Sequence, residues 1–365
     1  MLRFHPSGLA TGIGSLPFID PDQAIKLIKR YFPAIPHWPQ MPRRGMEEHF
    51  VFQFLQPLVE TGLLVAKNRT YFFDMSQQSW PDRLTDFYTI CLSAEEGDPA
   101  ALENFVPPKH AARGFHVFLE NAQKISGHGV KFLKGQIVGP LSAGLHLKDE
   151  KGRIAYYQDE LHDVIVRTLA LNARCQAAAL SQFGSPAIIF VDDPAIRAYG
   201  SMHHLTLRRD MIIEDLNTIF RGVLSENALV GVHSCDAVDW SLLFESELQI
   251  ISLDVYRYGD SLFAYTSQIK DFIERDGVMA WGIVPTLDDP FSEGADTLLN
   301  RLNQILSELV RGGLDQRLAL RQSMITPSCG TGLLSVREAK RIYELTSAVS
   351  EKFMSGKWCR VLNCE

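Results

Sequence analysis

The stretch ALVGVHSC, residues 228–235, joins a short apolar run to two residue types that bind metals. A run of four to eight apolar residues that ends in polar side chains is typical of a strand in a parallel sheet covered on both faces. At an extended strand end, residues i and i+2 point to the same side, so His233 and Cys235 can bind one ion together. The stretch therefore predicts a parallel α/β sheet with a reactive site at one edge.

The same pattern recurs along the chain. Strands are predicted at residues 9–13, 130–138, 187–191, 228–233, 248–253, 277–284 and 318–325, with a weaker eighth candidate within residues 63–73. Helical periodicity fills most intervals, as at residues 159–183, 208–224 and 294–310. This alternation predicts a single (β/α)8 TIM barrel over residues 1–365. A helical and Pro-rich insertion, with AIPHWPQMPRRG at residues 34–45, is expected after the first strand.

The composition disfavours several classes of partner. The chain has 365 residues and a formal net charge of −7, so neither nucleic acid nor an anionic membrane is expected to bind it. No apolar run reaches the roughly eighteen residues that a bilayer span needs, and the N-terminus does not resemble a secretory signal. A cytoplasmic location is expected. There, the 6 scattered cysteines suit metal binding or chemistry better than a disulfide framework.

Reactive side chains follow the predicted strands at their carboxyl ends, which form the catalytic face of a (β/α)8 barrel. They are Ser15, Asp192, Asp193, His233, Cys235, Asp254 and Cys329. Catalytic zinc sites have three protein ligands of nitrogen, sulfur or oxygen type and one open position. His233, Cys235 and Cys329 are therefore predicted to bind Zn2+, and Asp254 is a weaker candidate for the fourth position.

A zinc ion bound by thiolates would deprotonate an incoming thiol and leave its sulfur electron-rich, which favours alkyl transfer to sulfur over hydrolysis. The residues alone leave other interpretations open. Cys235 could be a buried apolar thiol and His233 a core histidine. Asp192 and Asp193 could instead cap a helix that begins at Pro194.

Six motifs occur in the order found in the catalytic barrel of cobalamin-independent methionine synthase. They are TGIGSLPF (11–18), KGQIVGPLS (134–142), FVDDPAI (190–196), VHSC (232–235), ISLD (251–254) and TPSCG (326–330). The chain resembles that family over nearly its whole length. The wider superfamily also holds uroporphyrinogen decarboxylase and corrinoid-linked thiol methyltransferases. The resemblance implies a zinc-dependent methyl transfer to a thiol, with homocysteine as the expected acceptor and methionine as the product.

The resemblance also implies roles for individual residues. His233, Cys235 and Cys329 match the zinc ligands of the family. Asp254 stands where the family has a glutamate that yields its place to the substrate thiol, so a catalytic role is expected for it.

Substrate-binding residues are implied in the same way. Gly14 and Ser15 match a segment whose backbone amides bind the amino-acid carboxylate. Asp192 matches the aspartate that binds the substrate ammonium group and counts as catalytic. Glu47 or Glu48, with Glu48 preferred, lies in the region of a further family glutamate.

The chain departs from the family in two respects. It is expected to be one barrel, without the duplicated N-terminal barrel that helps the full enzyme to bind folate. Where the family has a histidine after the seventh strand, this chain has Val284, which cannot protonate a leaving amine. The methyl donor is expected to be a methyl-corrinoid protein or methyltetrahydrofolate, and Val284 is easier to reconcile with the corrinoid protein.

Two other functions remain open. A uroporphyrinogen-decarboxylase-like enzyme would need no metal and would bind a carboxylate-rich macrocycle through basic residues such as Arg43 and Arg44. A barrel that has lost turnover would act only as a zinc-binding or corrinoid-protein-binding partner. Cys359 and Cys364 could form a second metal site, although a loosely ordered tail is the expectation.

Overall fold

The computed structural model describes residues 4–67, 70–125 and 129–356, so Cys359 and Cys364 lie outside the described residues. Within these ranges the main sheet is curled, parallel and six-stranded, and its strand order follows the sequence. A separate antiparallel hairpin precedes it. The strands are β1 (Leu64–Lys67) and β2 (Thr70–Phe73) of the hairpin, then β3 (Leu133–Val138), β4 (Ala187–Asp192), β5 (Leu229–Ser234), β6 (Ile250–Asp254), β7 (Val278–Val284) and β8 (Ser323–Pro327).

Helices connect the strands of the sheet and cover its outer face. They are α1 (Pro21–Tyr31), α2 (Gln56–Glu60), α3 (Trp80–Glu95), α4 (Pro99–Glu103), α5 (Arg113–Glu120), α6 (Ala122–Ile125), α7 (Pro140–His146), α8 (Asp159–Ser181), α9 (Arg209–Ser225), α10 (Ser241–Phe244), α11 (Val255–Tyr258), α12 (Thr266–Glu274), α13 (Ala295–Arg311), α14 (Gln316–Arg321) and α15 (Val336–Met354). Short 3-10 helices lie at Pro42–Arg44, Phe52–Phe54, Ala155–Tyr157, Pro194–Ala198 and Gly259–Tyr265. The three helices predicted by periodicity are confirmed as α8, α9 and α13.

Successive side chains of each strand face opposite sides of the sheet, which divides the core in two. Ile188 and Phe190 of β4 belong to a small apolar cluster inside the curl of the sheet. Ile189 and Val191 of the same strand belong to the larger cluster that the helices share. Asp192 continues the inner face at the carboxyl end of β4. The alternation thus points the last residue of β4 into the concave side of the sheet.

The predicted first strand at residues 9–13 is not a regular strand. It contacts β8 through an isolated parallel bridge between Ala10 and Ile325. Residues 35–40, predicted as part of a Pro-rich loop, form parallel bridges as well, from His37 to Lys134 of β3 and from Gln40 to Ser15. Prolines at positions 36 and 39 lack the N–H groups that a regular ladder requires. The α/β prediction is confirmed, whereas eight regular strands are not seen in the described part of the chain.

Two strand predictions were wrong in detail. Residues 63–73 form the β1–β2 hairpin and are not part of the main sheet. Residues 318–321 belong to helix α14, because Asp315 accepts a hydrogen bond from the Leu318 amide at 2.8 Å and caps that helix. The last strand therefore begins only at Ser323.

No helix among the described residues combines the length and the apolar character that crossing a bilayer requires.

Candidate metal centre

Three side chains with metal-binding atoms converge at the carboxyl end of the main sheet. His233 is the second-to-last residue of β5, Cys235 directly follows that strand, and Cys329 lies two residues beyond β8. Their ligand atoms all lie within 4.8 Å of one another. In a tetrahedral zinc site, bonds of about 2.0–2.3 Å put the ligand atoms about 3.3–3.8 Å apart. The structure therefore brings together the three side chains at a spacing from which one ion can be bound after small adjustments.

The loop after β8 is fixed to the neighbouring strand, and this contact positions Cys329. The Ser328 amide donates to the carbonyl oxygen of Val284 at 2.8 Å, and its hydroxyl accepts from the Thr286 amide at 3.1 Å. The β7–β8 register shifts between Gly282 and Val284. Such irregularities are common next to active sites because they redirect side chains. Here the shift lies close to the candidate metal-binding group, by which we mean His233, Cys235 and Cys329.

The His233 ring has one side-chain hydrogen-bonding neighbour within the residues that the structure describes. Its Nδ1 atom lies 3.0 Å from the Ser252 hydroxyl, which belongs to the next strand of the sheet. Its Nε2 atom is buried and has no hydrogen-bond partner among the residues that the structure describes. An unpaired buried polar atom costs about 1–3 kcal/mol. A metal ion on Nε2 would remove that cost, and the contact on the other nitrogen is the usual arrangement for ligating histidines.

The sulfur atoms of Cys235 and Cys329 lie close enough for each thiol to change the pKa of the other. The neighbouring Cys329 thiol and the adjacent His233 ring lower the pKa of Cys235. The same contact with Cys235, together with burial, raises the pKa of Cys329. Both thiols remain partly accessible. One sulfur is therefore ready to bind a cation as a thiolate, and binding would release the proton of the other. This donor set fits zinc.

Asp192 lies next to the metal-binding group without a partner of its own. It pairs with His233 in the β4–β5 register. Its Oδ1 atom is buried and unpaired within residues 4–67, 70–125 and 129–356. Burial raises the pKa of Asp192 to about 6, against the lowering effect of His233 and Lys134. A carboxylate in this state suits the binding of a cationic group of a ligand.

Asp193 has a structural role that the sequence did not indicate. Its carboxylate accepts from the backbone amides of Leu141 at 3.0 Å and Ser142 at 2.8 Å, and from the Ser142 hydroxyl at 2.6 Å. These bonds secure the start of α7. The 3-10 helix at Pro194 receives no side-chain cap from Asp193. Asp193 occupies the N-cap position of that helix, but its carboxylate makes its geometric hydrogen bonds with α7.

Asp254, the predicted fourth ligand, is not among the side chains whose ligand atoms all lie within 4.8 Å of one another. Its carboxylate accepts from the Arg257 amide at 3.0 Å and caps α11. Burial raises the pKa of Asp254 to about 6, and the charges of His233 and Cys235 also act on it. The carboxylate is thus close enough to interact electrostatically with the site, and its role as a ligand stays a prediction.

The turn at Gly14 and Ser15 lies against the loop that follows Cys329. The Ser15 carbonyl accepts from the Thr331 amide at 3.0 Å, and its hydroxyl accepts from the Gly332 amide at 3.1 Å. Gly14 has a φ of +154°, and a Cβ atom there would lie 2.5 Å from the side chain of Gln136. Only glycine fits so close to Gln136, which explains the residue type at this turn.

Glu48 is buried and ion-paired, whereas Glu47 is exposed. The Oε1 atom of Glu48 accepts a hydrogen bond from Arg44 at 2.6 Å, and the Oε2 atom of Glu48 is buried without a partner in the described part of the chain. Burial raises the pKa of Glu48 in spite of the ion pair. The second guanidinium, that of Arg43, donates to the Leu334 carbonyl at 2.8 Å, and Arg44 also donates to Ile19 at 2.8 Å. Both arginines are therefore engaged with the protein itself.

Sequence reasoning missed several polar residues of the inner face. Ser252 orients His233, and Lys134 lies below Asp192. Gln136 and Thr326 have buried oxygen atoms with no partner among residues 4–67, 70–125 and 129–356. Each is a polar residue inside an otherwise apolar strand, and that pattern could have indicated them.

No family model and no curated protein matches the sequence. Among solved structures, the chain is similar to a B12-independent methionine synthase from Shewanella sp. W3-18-1 in complex with selenomethionine, with 17% identity, a TM-score of 0.48 and coverage of 66% of this chain and 67% of that one. It is also similar to the GH20 catalytic modules of the pneumococcal exo-β-D-N-acetylglucosaminidase StrH, with 11% identity, a TM-score of 0.47 and coverage of 95% and 86%. It is similar as well to ZgEngAGH5_4 in complex with a cellotriose, with 10% identity, a TM-score of 0.42 and coverage of 96% of this chain and 99% of that one. At this level of identity the functional interpretation depends on the site's own geometry.

Proposed function

We propose that this chain is a zinc-dependent methyltransferase that transfers a methyl group to the thiol of homocysteine and produces methionine. The convergence of His233, Cys235 and Cys329 within 4.8 Å supports this proposal most strongly. When bound, the zinc ion would stabilise the thiolate form of a substrate thiol at neutral pH. The enzyme would be a single (β/α)8 barrel, closed where residues 8–16 and 35–40 bridge the two edges of the sheet.

The transfer itself requires little from the protein beyond position. The substrate sulfur attacks the methyl carbon, and the new S–C bond forms while the bond between that carbon and the donor breaks. The electron pair of the broken bond leaves with the donor. The residues of this chain would orient the amino acid so that its sulfur points at the metal-binding group, which is the effect of proximity and alignment.

Unpaired acceptors support an amino acid as the substrate. Asp192, Gln136 and Glu48 each have a buried oxygen with no partner among the described residues. Acceptors of this kind suit an ammonium group, which has three donors and no acceptor. Asp192 would bind the substrate ammonium, the turn at Gly14 and Ser15 would bind its carboxylate, and Glu48 would assist. Asp254 would contact zinc when no thiol is bound and leave when the substrate enters.

The inner face favours a methyl donor whose leaving group needs no proton. Val284 is buried at the end of β7, where it can neither donate nor accept a proton. Large apolar side chains are exposed on segments that follow the carboxyl ends of the strands: Ile19, Met202, Leu205, Leu287 and Leu333. Exposed apolar groups around a site often mark contact with another protein. Both observations support a methyl-corrinoid protein as the donor, ahead of methyltetrahydrofolate.

The decarboxylase-like alternative has lost its main support. It requires free basic side chains at the mouth of the site. Arg43 and Arg44 instead bind backbone carbonyl oxygens, and Arg44 is also paired with Glu48. The partly accessible thiols and the unpaired histidine nitrogen would also have no role in a metal-free enzyme.

The test is zinc content together with methionine formation by the purified full chain. We expect about one zinc per chain, and methionine from homocysteine with methylcobalamin or a methyl-corrinoid protein as donor. Methyltetrahydrofolate should be a poor donor. A chain that stays metal-free after zinc addition would refute the proposal. Zinc and homocysteine binding without turnover with any of the three donors would support the non-catalytic alternative.

A further inference from the structure

Lys134 is a fully buried lysine inside the curled sheet, where its neighbours are mostly apolar. Its side chain is 0% exposed, and its Nζ atom lies 4.3 Å from the centre of the Phe190 ring. Among the described residues, the ammonium group donates one hydrogen bond, to the Ile13 carbonyl oxygen at 2.6 Å. Burial lowers the pKa of Lys134 to about 7, while the charge of Asp192 acts in the opposite direction. A buried cation is costly, so its presence here calls for a role beyond packing.

The hydrogen bond of Lys134 reaches a segment that has few regular contacts. Ile13 directly precedes Gly14 and Ser15, and this segment joins the sheet through isolated bridges. The Lys134 backbone also bonds to the second irregular segment, since its amide donates to Pro36 at 2.9 Å. Lys134 therefore lies at the junction of β3 with both irregular segments and fixes the position of the Gly14–Ser15 turn relative to the sheet.

The charge of Lys134 also has a clear counterpart. Asp192 is the one acidic group whose charge acts on Lys134 in the described part of the chain, and Lys134 in turn acts on Asp192. Solvent screens this interaction little, because Lys134 and the Oδ1 atom of Asp192 are both buried. Lys134 and Asp192 lie on the same face of neighbouring strands, because Lys134 pairs with Ile188, which is on the same face of β4 as Asp192. A cation on this face offsets the negative charge of Asp192.

We propose that Lys134 is a positioning residue of the substrate site: its buried ammonium group ties the Gly14–Ser15 turn to the sheet and provides the counter-charge for Asp192. This inference rests on the proposed function, in which the turn binds the carboxylate of the amino acid and Asp192 binds its ammonium. Lys134 does not contact the metal-binding group. Its effect on catalysis is therefore indirect, through the two elements that hold the substrate.

The test compares Lys134→Met, which keeps the length and removes the charge, with the wild-type chain, both zinc-loaded. Zinc content should be close to that of the wild type, because none of the proposed ligands is touched, and a thermal melt shows whether the variant is folded. The Kd and KM for homocysteine should rise about 10-fold, since both elements that would hold the substrate lose a support, while kcat changes by less than about 3-fold. Lys134→Gln, which keeps a hydrogen-bond donor for Ile13, should show a smaller loss.

A double-mutant cycle with Asp192→Asn makes the test specific. In the Asp192→Asn background, Lys134→Met should raise the Kd by a smaller factor than in the wild type, because only the bond to Ile13 then remains to be lost. An unchanged Kd in the single variant, or full additivity in the cycle, would overturn the inference while zinc binding and turnover leave the proposed function intact. If neither Lys134 variant folds, the residue is structural and the inference is wrong. A wild-type chain without zinc or methyl transfer refutes the proposed function instead.

Discussion

In the part of the chain that the structure describes, the carboxyl edge of the sheet and the helical layer around it each contain two cysteines, and the two pairs differ in chemistry. At the edge, Cys235 and Cys329 are partly accessible and lie within 4.8 Å of His233. In the helices, Cys91 and Cys175 are buried among apolar side chains, and burial raises the pKa of each to about 12. A thiol in helix packing stays protonated, whereas a thiol at a strand end beside a histidine can ionise. Position relative to the strand ends, and not residue type, marks the reactive cysteines.

The largest effect expected from this contrast is on zinc binding. Cys235→Ser and Cys329→Ser should each reduce the zinc content from about one per chain to nearly none, because a catalytic site has only three protein ligands to lose. Cys91→Ser and Cys175→Ser are the matched controls and should retain the metal. Elemental analysis after dialysis against a weak chelator measures the difference. Equal zinc loss in a helical and an edge variant would contradict the assignment of the site.

The second effect concerns alkylation of the metal-free protein by iodoacetamide at pH 6. The reactive form is the thiolate, whose fraction falls tenfold for each pH unit below the pKa. Cys235, with its lowered pKa, should react more than about 100-fold faster than Cys91 or Cys175 at this pH. Peptide mass spectrometry over time measures the three rates. Zinc should protect Cys235, and lack of protection would indicate that it is not a ligand.

Much of the fold could be predicted because strands β3–β8 lie in mostly apolar runs that periodic helices separate. The segment at residues 35–40 could not, because Pro36 and Pro39 conceal an extended segment that follows the sheet edge without a regular ladder. The hairpin of β1 and β2 was mistaken for a sheet strand because a short apolar run does not reveal its pairing partner. Pattern thus identifies buried strands well and irregular edges poorly.

The site divides in the same way. His233 and Cys235 could be found because their spacing on one strand end determines their common direction. The partners of Asp193, Asp254 and Arg43 could not, because each bonds to a backbone group of a separate loop or helix terminus. Loop geometry depends on tertiary packing that one sequence does not display. The proposed ligands His233 and Cys235 could therefore be predicted from a local pattern, while the partners of the surrounding polar groups became visible only in the folded chain.

Two adjacent aspartates extend the comparison to substrate binding. Asp192→Asn should weaken homocysteine binding about 10- to 100-fold, because it removes the charge that faces the substrate ammonium. Asp193→Asn should leave that affinity within about 3-fold and instead lower the free energy of unfolding by about 1–2 kcal/mol, because it weakens the cap of α7. Calorimetric titration and thermal melts separate the two effects. Loss of affinity in Asp193→Asn with unchanged stability would reverse the assignment.

The smallest expected effect is on zinc affinity when a neighbour of a proposed ligand, and not the ligand itself, is changed. Ser252→Ala removes the hydroxyl that lies 3.0 Å from His233 Nδ1 and leaves all three proposed ligands in place. Zinc affinity should fall about 10-fold, the lower end for loss of a group that orients a ligating histidine. Ser246→Ala is a matched control, since Ser246 is also buried and its hydroxyl donates a hydrogen bond to the Leu242 carbonyl oxygen. This variant should leave zinc affinity unchanged. Competition with a chromogenic chelator has the required resolution. If Ser252→Ala binds zinc as tightly as the control does, the Ser252 hydroxyl does not orient the His233 ring, and its contact with Nδ1 does not favour zinc binding by Nε2.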